Sequence, residues 1–233
     1  MRILAHLVPT PRVRVLHEHP FSRFLIPLAH VQPSLVERCV GRLVPSALPN
    51  RSVQEVRIDP LLSYCAPELL ASRSDRLLLM TRNPVTWVES LARKIQIQRL
   101  FPLIRALPIL RPPAPAFLSR NLSLLLPAES PYLIGLLAAY VHLHRRMLAL
   151  PGSPPLLHYE DLYAHPDEPG WFPAWSQLFN SLEWTGPFPH EHLQMLLQQP
   201  MNTAPAVTYP SIREPEMVLS VVRSLIDTPE NLC

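Results

Sequence analysis

At 233 residues, 48% of them apolar and 17% charged, the chain is the size of one α/β domain with a substantial core, and its composition excludes a disordered polymer. The formal net charge of +3 suits an anionic small ligand or an acidic partner and does not argue for nucleic acid. No apolar run approaches the ~20 residues that span a bilayer, and Met1–Pro11 has no secretory cleavage site, which leaves a cytoplasmic location as the default.

Cys39, Cys65 and Cys233 are widely spaced, form no zinc pattern and cannot all pair within one chain. They read as core or free thiols, and no metal is expected. The 30 prolines exceed an average content near ~5%. The five glycines, Gly41, Gly135, Gly152, Gly170 and Gly186, are too far apart to build a Gly-x-x-x-x-Gly-Lys or Gly-x-Gly-x-x-Gly phosphate loop.

In chain order, residues 11–17 alternate as a short strand. Residues 33–44 carry helical spacing with Ser34 as a cap. Residues 52–58 read as a second strand, 60–71 as a helix, and 76–82 as a third strand. Residues 84–100 form a long helix with Pro84 near its first turn. The prolines of 102–115 predict an irregular excursion. Ser130 caps a helix that Pro151-Gly152 ends. Residues 155–159 read as a fourth strand, and 171–182, 189–199 and 214–226 as helices. Strands alternating with helices of this length predict parallel βαβ units, a sheet covered on both faces and a single domain over residues 1–233.

The segment Arg76-Leu-Leu-Leu-Met-Thr-Arg82-Asn83-Pro84-Val-Thr-Trp-Val-Glu-Ser90 is the most informative. It places an arginine at a strand tip, then a turn, then a helix with a serine eight residues after the arginine. A guanidinium in that place can grip a phosphate through two parallel hydrogen bonds, and a hydroxyl one turn into the helix adds a third contact near the positive helix end. The plainer alternative is an arginine that ends a strand and a serine that is an ordinary helix residue.

This arginine, Asn-Pro turn and serine resemble the 3′-phosphate site of sulfotransferases, which use 3′-phosphoadenosine-5′-phosphosulfate (PAPS) as sulfuryl donor. His158-Tyr159-Glu160-Asp161-Leu162, followed by His165-Pro166 and by Leu182-Glu183-Trp184, resembles the family's Tyr-Glu-Asp-Leu strand end. There the segment supports the active site, and its tyrosine reaches substrate. Val13-Arg-Val-Leu-His17-Glu18 resembles the strand of tyrosylprotein sulfotransferases that carries the general base. The resemblance makes Glu18 that base, whereas a solvated strand end is the alternative. Arg57-Ile58-Asp59-Pro60 is similar to the family's Lys-Asp-Pro, with Ile58 at the lysine and Arg57 beside it. Strand alternation keeps Arg57 from replacing that lysine without a local twist.

The resemblance covers about residues 1–185 and leaves the helical part at 186–233 unassigned. It implies a three-layer α/β sandwich with a short parallel sheet, the P-loop-type sulfotransferase fold truncated at its N-terminus. Met1–Leu7 looks like the helix that follows the family's Gly-x-Pro-Arg-Ser-Gly-Thr-Thr loop. An interruption or exposed edge is therefore expected beside the strands at 13–17 and 76–82. The implied activity is sulfuryl transfer from PAPS to an acceptor hydroxyl on a protein tyrosine, a sugar or a small molecule, without metal. Arg82, Ser90 and Tyr159 would hold the donor. Glu18 would take the proton, and Arg57 would offset leaving-group charge. The alternative is a sulfotransferase-like protein without activity, because it lacks the phosphosulfate loop. A nucleotide kinase of related topology is disfavoured by the missing glycine loop.

Overall fold

The computed structural model describes residues 13–17, 22–43, 54–58, 65–72, 74, 76–96, 107, 111–152, 154–184, 188–198 and 211–227. Strand β1 is Val13–His17, followed by helices α1 (Ser22–Val31) and α2 (Pro33–Leu43). Ser34 lies inside the first turn of α2 and is not its cap, because Pro33 begins the helix with its preset φ and its dispensable N–H. Strand β2 is Gln54–Ile58 and helix α3 is Pro67–Ser72. The start of the helix expected over 60–71 lies outside the described residues, as does the helix expected at Met1–Leu7.

Strand β3 is only Leu79–Thr81, so Arg82 stands one residue beyond the ladder. Its partner, β4, is Leu156–His158. The ladder is short at one end because Pro154 and Pro155 have no N–H to donate. Only the Pro155 carbonyl takes part, accepting from Leu79 N at 3.0 Å. Between these strands run α4 (Pro84–Gln96), α5 (Ala116–Leu125) and α6 (Pro131–Leu148). Helix α7 (Tyr159–Leu162) is a single turn directly after β4. Helices α8 (Trp171–Ser181), α9 (His190–Gln198) and α10 (Pro215–Asp227) follow.

The described strands form two separate parallel pairs, β1 with β2 and β3 with β4. Among the described residues the two pairs are not joined into one sheet. Each pair is flanked by helices in chain order, so the architecture is mixed α/β, mostly helical, with short parallel ladders.

Helix α6 is the most extensively buried helix among the described residues. Ser130 caps it by accepting from Leu133 N at 3.4 Å, and Pro131 occupies its first position. Twelve of its side chains are buried, from Tyr132 to Met147. A helix apolar on nearly all sides must be covered on nearly all sides. Helices α4, α5 and α10 supply that cover through Val88, Leu118, Leu122, Val218 and Val222. A second cluster packs Trp171, Trp175, Leu178 and Phe179 of α8 with Leu193 of α9 against Leu157 of β4. Helix α8 ends with Glu183 in the left-handed region, φ 53°. Glu183 N donates to Asn180 O and Trp184 N to Phe179 O, so the strained residue closes the last carbonyls. The Glu183 side chain pairs with Arg76, ahead of β3.

Candidate anion-binding site

The last ladder pair, Thr81 with His158, and the two residue pairs that follow it in sequence, Arg82 with Tyr159 and Asn83 with Glu160, are each joined by a side chain. Thr81 Oγ1 and His158 Nδ1 are 3.1 Å apart. The Arg82 guanidinium lies over the Tyr159 ring, 4.5 Å from its centroid, a cation–π contact. Asn83 N donates to Glu160 Oε1 at 2.8 Å. Three consecutive rungs thus fix the two strand tips against each other.

Asn83 then starts α4. Its Oδ1 accepts from Val85 N at 2.9 Å and Thr86 N at 3.4 Å, with Pro84 at the first helical position. Arg82 Nε donates to Thr86 Oγ1 at 3.1 Å, and Thr86 in turn donates to Asn83 O at 3.1 Å. The terminal guanidinium nitrogens of Arg82 have no hydrogen-bond partner among the described residues, and among those residues their donor edge is open. Thr86 and Ser90 are both exposed and four residues apart, which puts them on one helix face. The resulting surface offers two guanidinium N–H directions and the Ser90 hydroxyl, since the Thr86 proton is already given to Asn83 O.

The floor of the site is aromatic. Tyr159 stacks on Tyr163 with centroids 4.4 Å apart. Burial is the main reason the Tyr163 phenol is raised to about 12, the Tyr159 charge adds to it, and Arg82 opposes it. From α6, the Tyr140 hydroxyl donates to the Arg82 carbonyl. Burial, and secondarily the Glu160 charge, push the Tyr140 phenol well above its ordinary value, which keeps it a donor. Trp87 meets Tyr140 edge-on at 5.2 Å, and His144 stacks on Tyr140 at 3.8 Å.

His144 is buried. Its Nδ1 lies 2.9 Å from Tyr140 O, so Nδ1 carries the proton and Nε2 is bare, with no partner among the described residues. Burial lowers its pKa, against a smaller raising effect of that hydrogen bond. The unfolded imidazole keeps a value near ~6.5. The unfolded state therefore binds the proton first as pH falls, and stability is lost from about pH 6.5 downward until the folded pKa is passed. The difference in urea midpoint between pH 7.5 and 5.5 is expected to be smaller in His144→Phe, which keeps the stack, than in the wild type. An unchanged difference would exclude His144 as a source of acid sensitivity.

Arg82 and Tyr159, both expected at a donor site, are in contact. Ser90 lies on the same exposed helix face as Thr86, with no direct contact to Arg82. Arg57 is in β2, opposite Leu16, in the strand pair that does not contain Arg82. Glu18 lies outside the described residues. Thr86, Tyr140 and Glu160 belong to the site and were not singled out from sequence. Thr86 was readable, since it falls four residues after Arg82 and four before Ser90. Tyr140 was not, because it is 58 residues from its partner.

Among the described residues no group of three or more His, Cys, Asp and Glu is placed to hold a metal, and no helix is long and apolar enough to cross a membrane. No family model, curated protein or solved structure matches the chain.

Proposed function

We propose that this protein is a PAPS-dependent sulfotransferase of a three-layer α/β, P-loop-like fold, and that the Arg82 surface receives the 3′-phosphate of the donor. The observation that carries this reading is the open guanidinium edge of Arg82. Its orientation is fixed from below by Tyr159, from the side by Thr86 and through its carbonyl by Tyr140. A planar fork fixed in this way loses little freedom when it takes two phosphate oxygens. The Ser90 hydroxyl adds a further donor on the same helix face. In this scheme the acceptor hydroxyl, a protein tyrosine in the nearest resemblance, attacks sulfur in line. Glu18 accepts its proton and Arg57 offsets charge on the departing phosphate. The donor brings the activated sulfuryl group, so the scheme requires no metal.

A second reading is favoured by the glycine positions. Within these 233 residues no phosphate-cradling loop is available, and a sulfotransferase-like protein that holds nucleotide without turnover satisfies the same geometry.

Titration calorimetry with adenosine 3′,5′-bisphosphate tests the shared part of both readings. Arg82→Ala removes charge-assisted bonds of ~1.5–3 kcal/mol each, so affinity is expected to fall by about tenfold or more. Arg82→Lys should fall between, because an ammonium cannot form the fork. Equal affinity in wild type and Arg82→Ala would reject the site. Sulfuryl transfer from PAPS to a tyrosine peptide then separates the two readings. In an active protein Glu18→Gln should slow turnover by ~10²–10⁴.

A further inference from the structure

The amides at the start of α4 are already occupied. Asn83 N is held by the Glu160 carboxylate, and Val85 N and Thr86 N by the Asn83 side chain. An anion arriving at Arg82 therefore finds the guanidinium edge and the Ser90 hydroxyl, but not the helix amides. Glu160 is also exposed, and its charge reaches Tyr140, whose hydroxyl holds the Arg82 carbonyl. It thus stands as a negative group beside the anion site while anchoring the residue next to Arg82.

We propose that Glu160 is a positioning residue with two opposed effects, fixing the Arg82–Asn83 turn for phosphate capture while weakening the hold on the captured anion. The first effect comes from geometry. Asn83 N points at Glu160 Oε1, so the turn that carries the guanidinium is tied to α7 one residue beyond the Tyr159 stack. The second comes from charge. A carboxylate close to a bound phosphate repels it, and a site that must release nucleotide after each turnover gains speed from that repulsion. The inference rests on Arg82 as the anion site.

The test separates the two effects with two substitutions. Glu160→Gln keeps an oxygen acceptor for Asn83 N and removes the charge. It should bind adenosine 3′,5′-bisphosphate more tightly than wild type by about two- to fivefold, the range for a partly exposed charge pair. The gain should shrink as salt is raised. Glu160→Ala also removes the charge but releases the turn. It should bind more weakly than Glu160→Gln, and its Asn83 amide should exchange with solvent faster than in either of the other proteins. A residue with a merely structural role would leave Glu160→Gln equal to wild type. If wild type binds through Arg82 and Glu160→Gln binds equally or more weakly, this inference falls and the site stands. If wild type does not bind the bisphosphate at all, both fall.

Discussion

Replacing Trp175 by alanine is expected to lower the unfolding free energy by about 3–5 kcal/mol, the usual cost of emptying a large buried aromatic site. Native domains hold only about 5–15 kcal/mol in total, so much of the molecule's stability depends on this side chain. Trp175 is 2% exposed and sits among Leu157, Leu162, Trp171 and Phe179. It does more than fill space. Its Nε1 donates to the Leu162 carbonyl at 2.8 Å, at the end of the single turn that carries Tyr159 and Glu160. Trp175→Phe keeps most of the ring and strands that carbonyl, at a cost of about 1–3 kcal/mol. The two variants, compared by urea unfolding, divide packing from hydrogen bonding. A Trp175→Ala protein within about 0.5 kcal/mol of wild type, the ordinary range of surface changes, would show that α8 does not hold β4 in place. In Trp175→Phe the amide of Tyr163, which closes the turn onto Tyr159 O, should exchange faster than in wild type. That result would connect the aromatic cluster to the anion site.

Local signals in the sequence located most of the helices. Ser130-Pro131 caps and starts α6, Asn83-Pro84 starts α4, and the apolar run before Arg82 forms a strand, although a short one. Each of these depends on residues within a few positions of one another, which is the range over which capping chemistry and periodicity act. Helices α1 and α5 received no reading, although Leu118 and Leu122, with Leu126 just after, mark one face of α5 directly beyond the proline-interrupted 102–115. The separation into two strand pairs was only partly legible, since ladder partners lie 41 and 77 positions apart and periodicity does not report who pairs with whom. The candidate site shows the same division. Arg82, Ser90 and Tyr159 stood out as residue types at strand ends and a helix start. Thr86 apart, the contacts that orient Arg82 come from α6 and from the turn after β4, and nothing in residues 76–90 announces those. Of the proposed chemistry, Arg57 and Glu18 rest on sequence likeness alone.

Glu129→Ala is expected to cost about 2–4 kcal/mol, because two backbone amides lose a charged acceptor at once. Glu129 is 7% exposed, in the turn between α5 and α6. Its Oε1 accepts from Arg213 N at 2.7 Å and Glu214 N at 3.1 Å, while Glu89 Oε1 of α4 accepts from Ile212 N at 3.1 Å. Two carboxylates from different elements therefore hold three consecutive amides immediately before Pro215 opens α10. The positive end of that helix favours negative charge there. Behind this clasp, α10 buries Val218, Val222 and Leu225 against the α6 core. Glu129→Gln keeps an oxygen for both amides and loses the charge at the helix end, worth about 0.3–1 kcal/mol. Its NH2 group takes the place of Oε2, which is buried without a partner among the described residues, and that is a cost, but both amides keep their acceptor, so glutamine should be milder than alanine. Urea unfolding of both variants checks the order. Hydrogen exchange at residues 213, 214 and 218 locates the damage, with faster exchange expected first at 213 and 214 in the alanine variant. If glutamine and alanine cost the same, the acceptor oxygen is not what holds the segment. If neither costs more than a surface change, α10 is held by its apolar face alone.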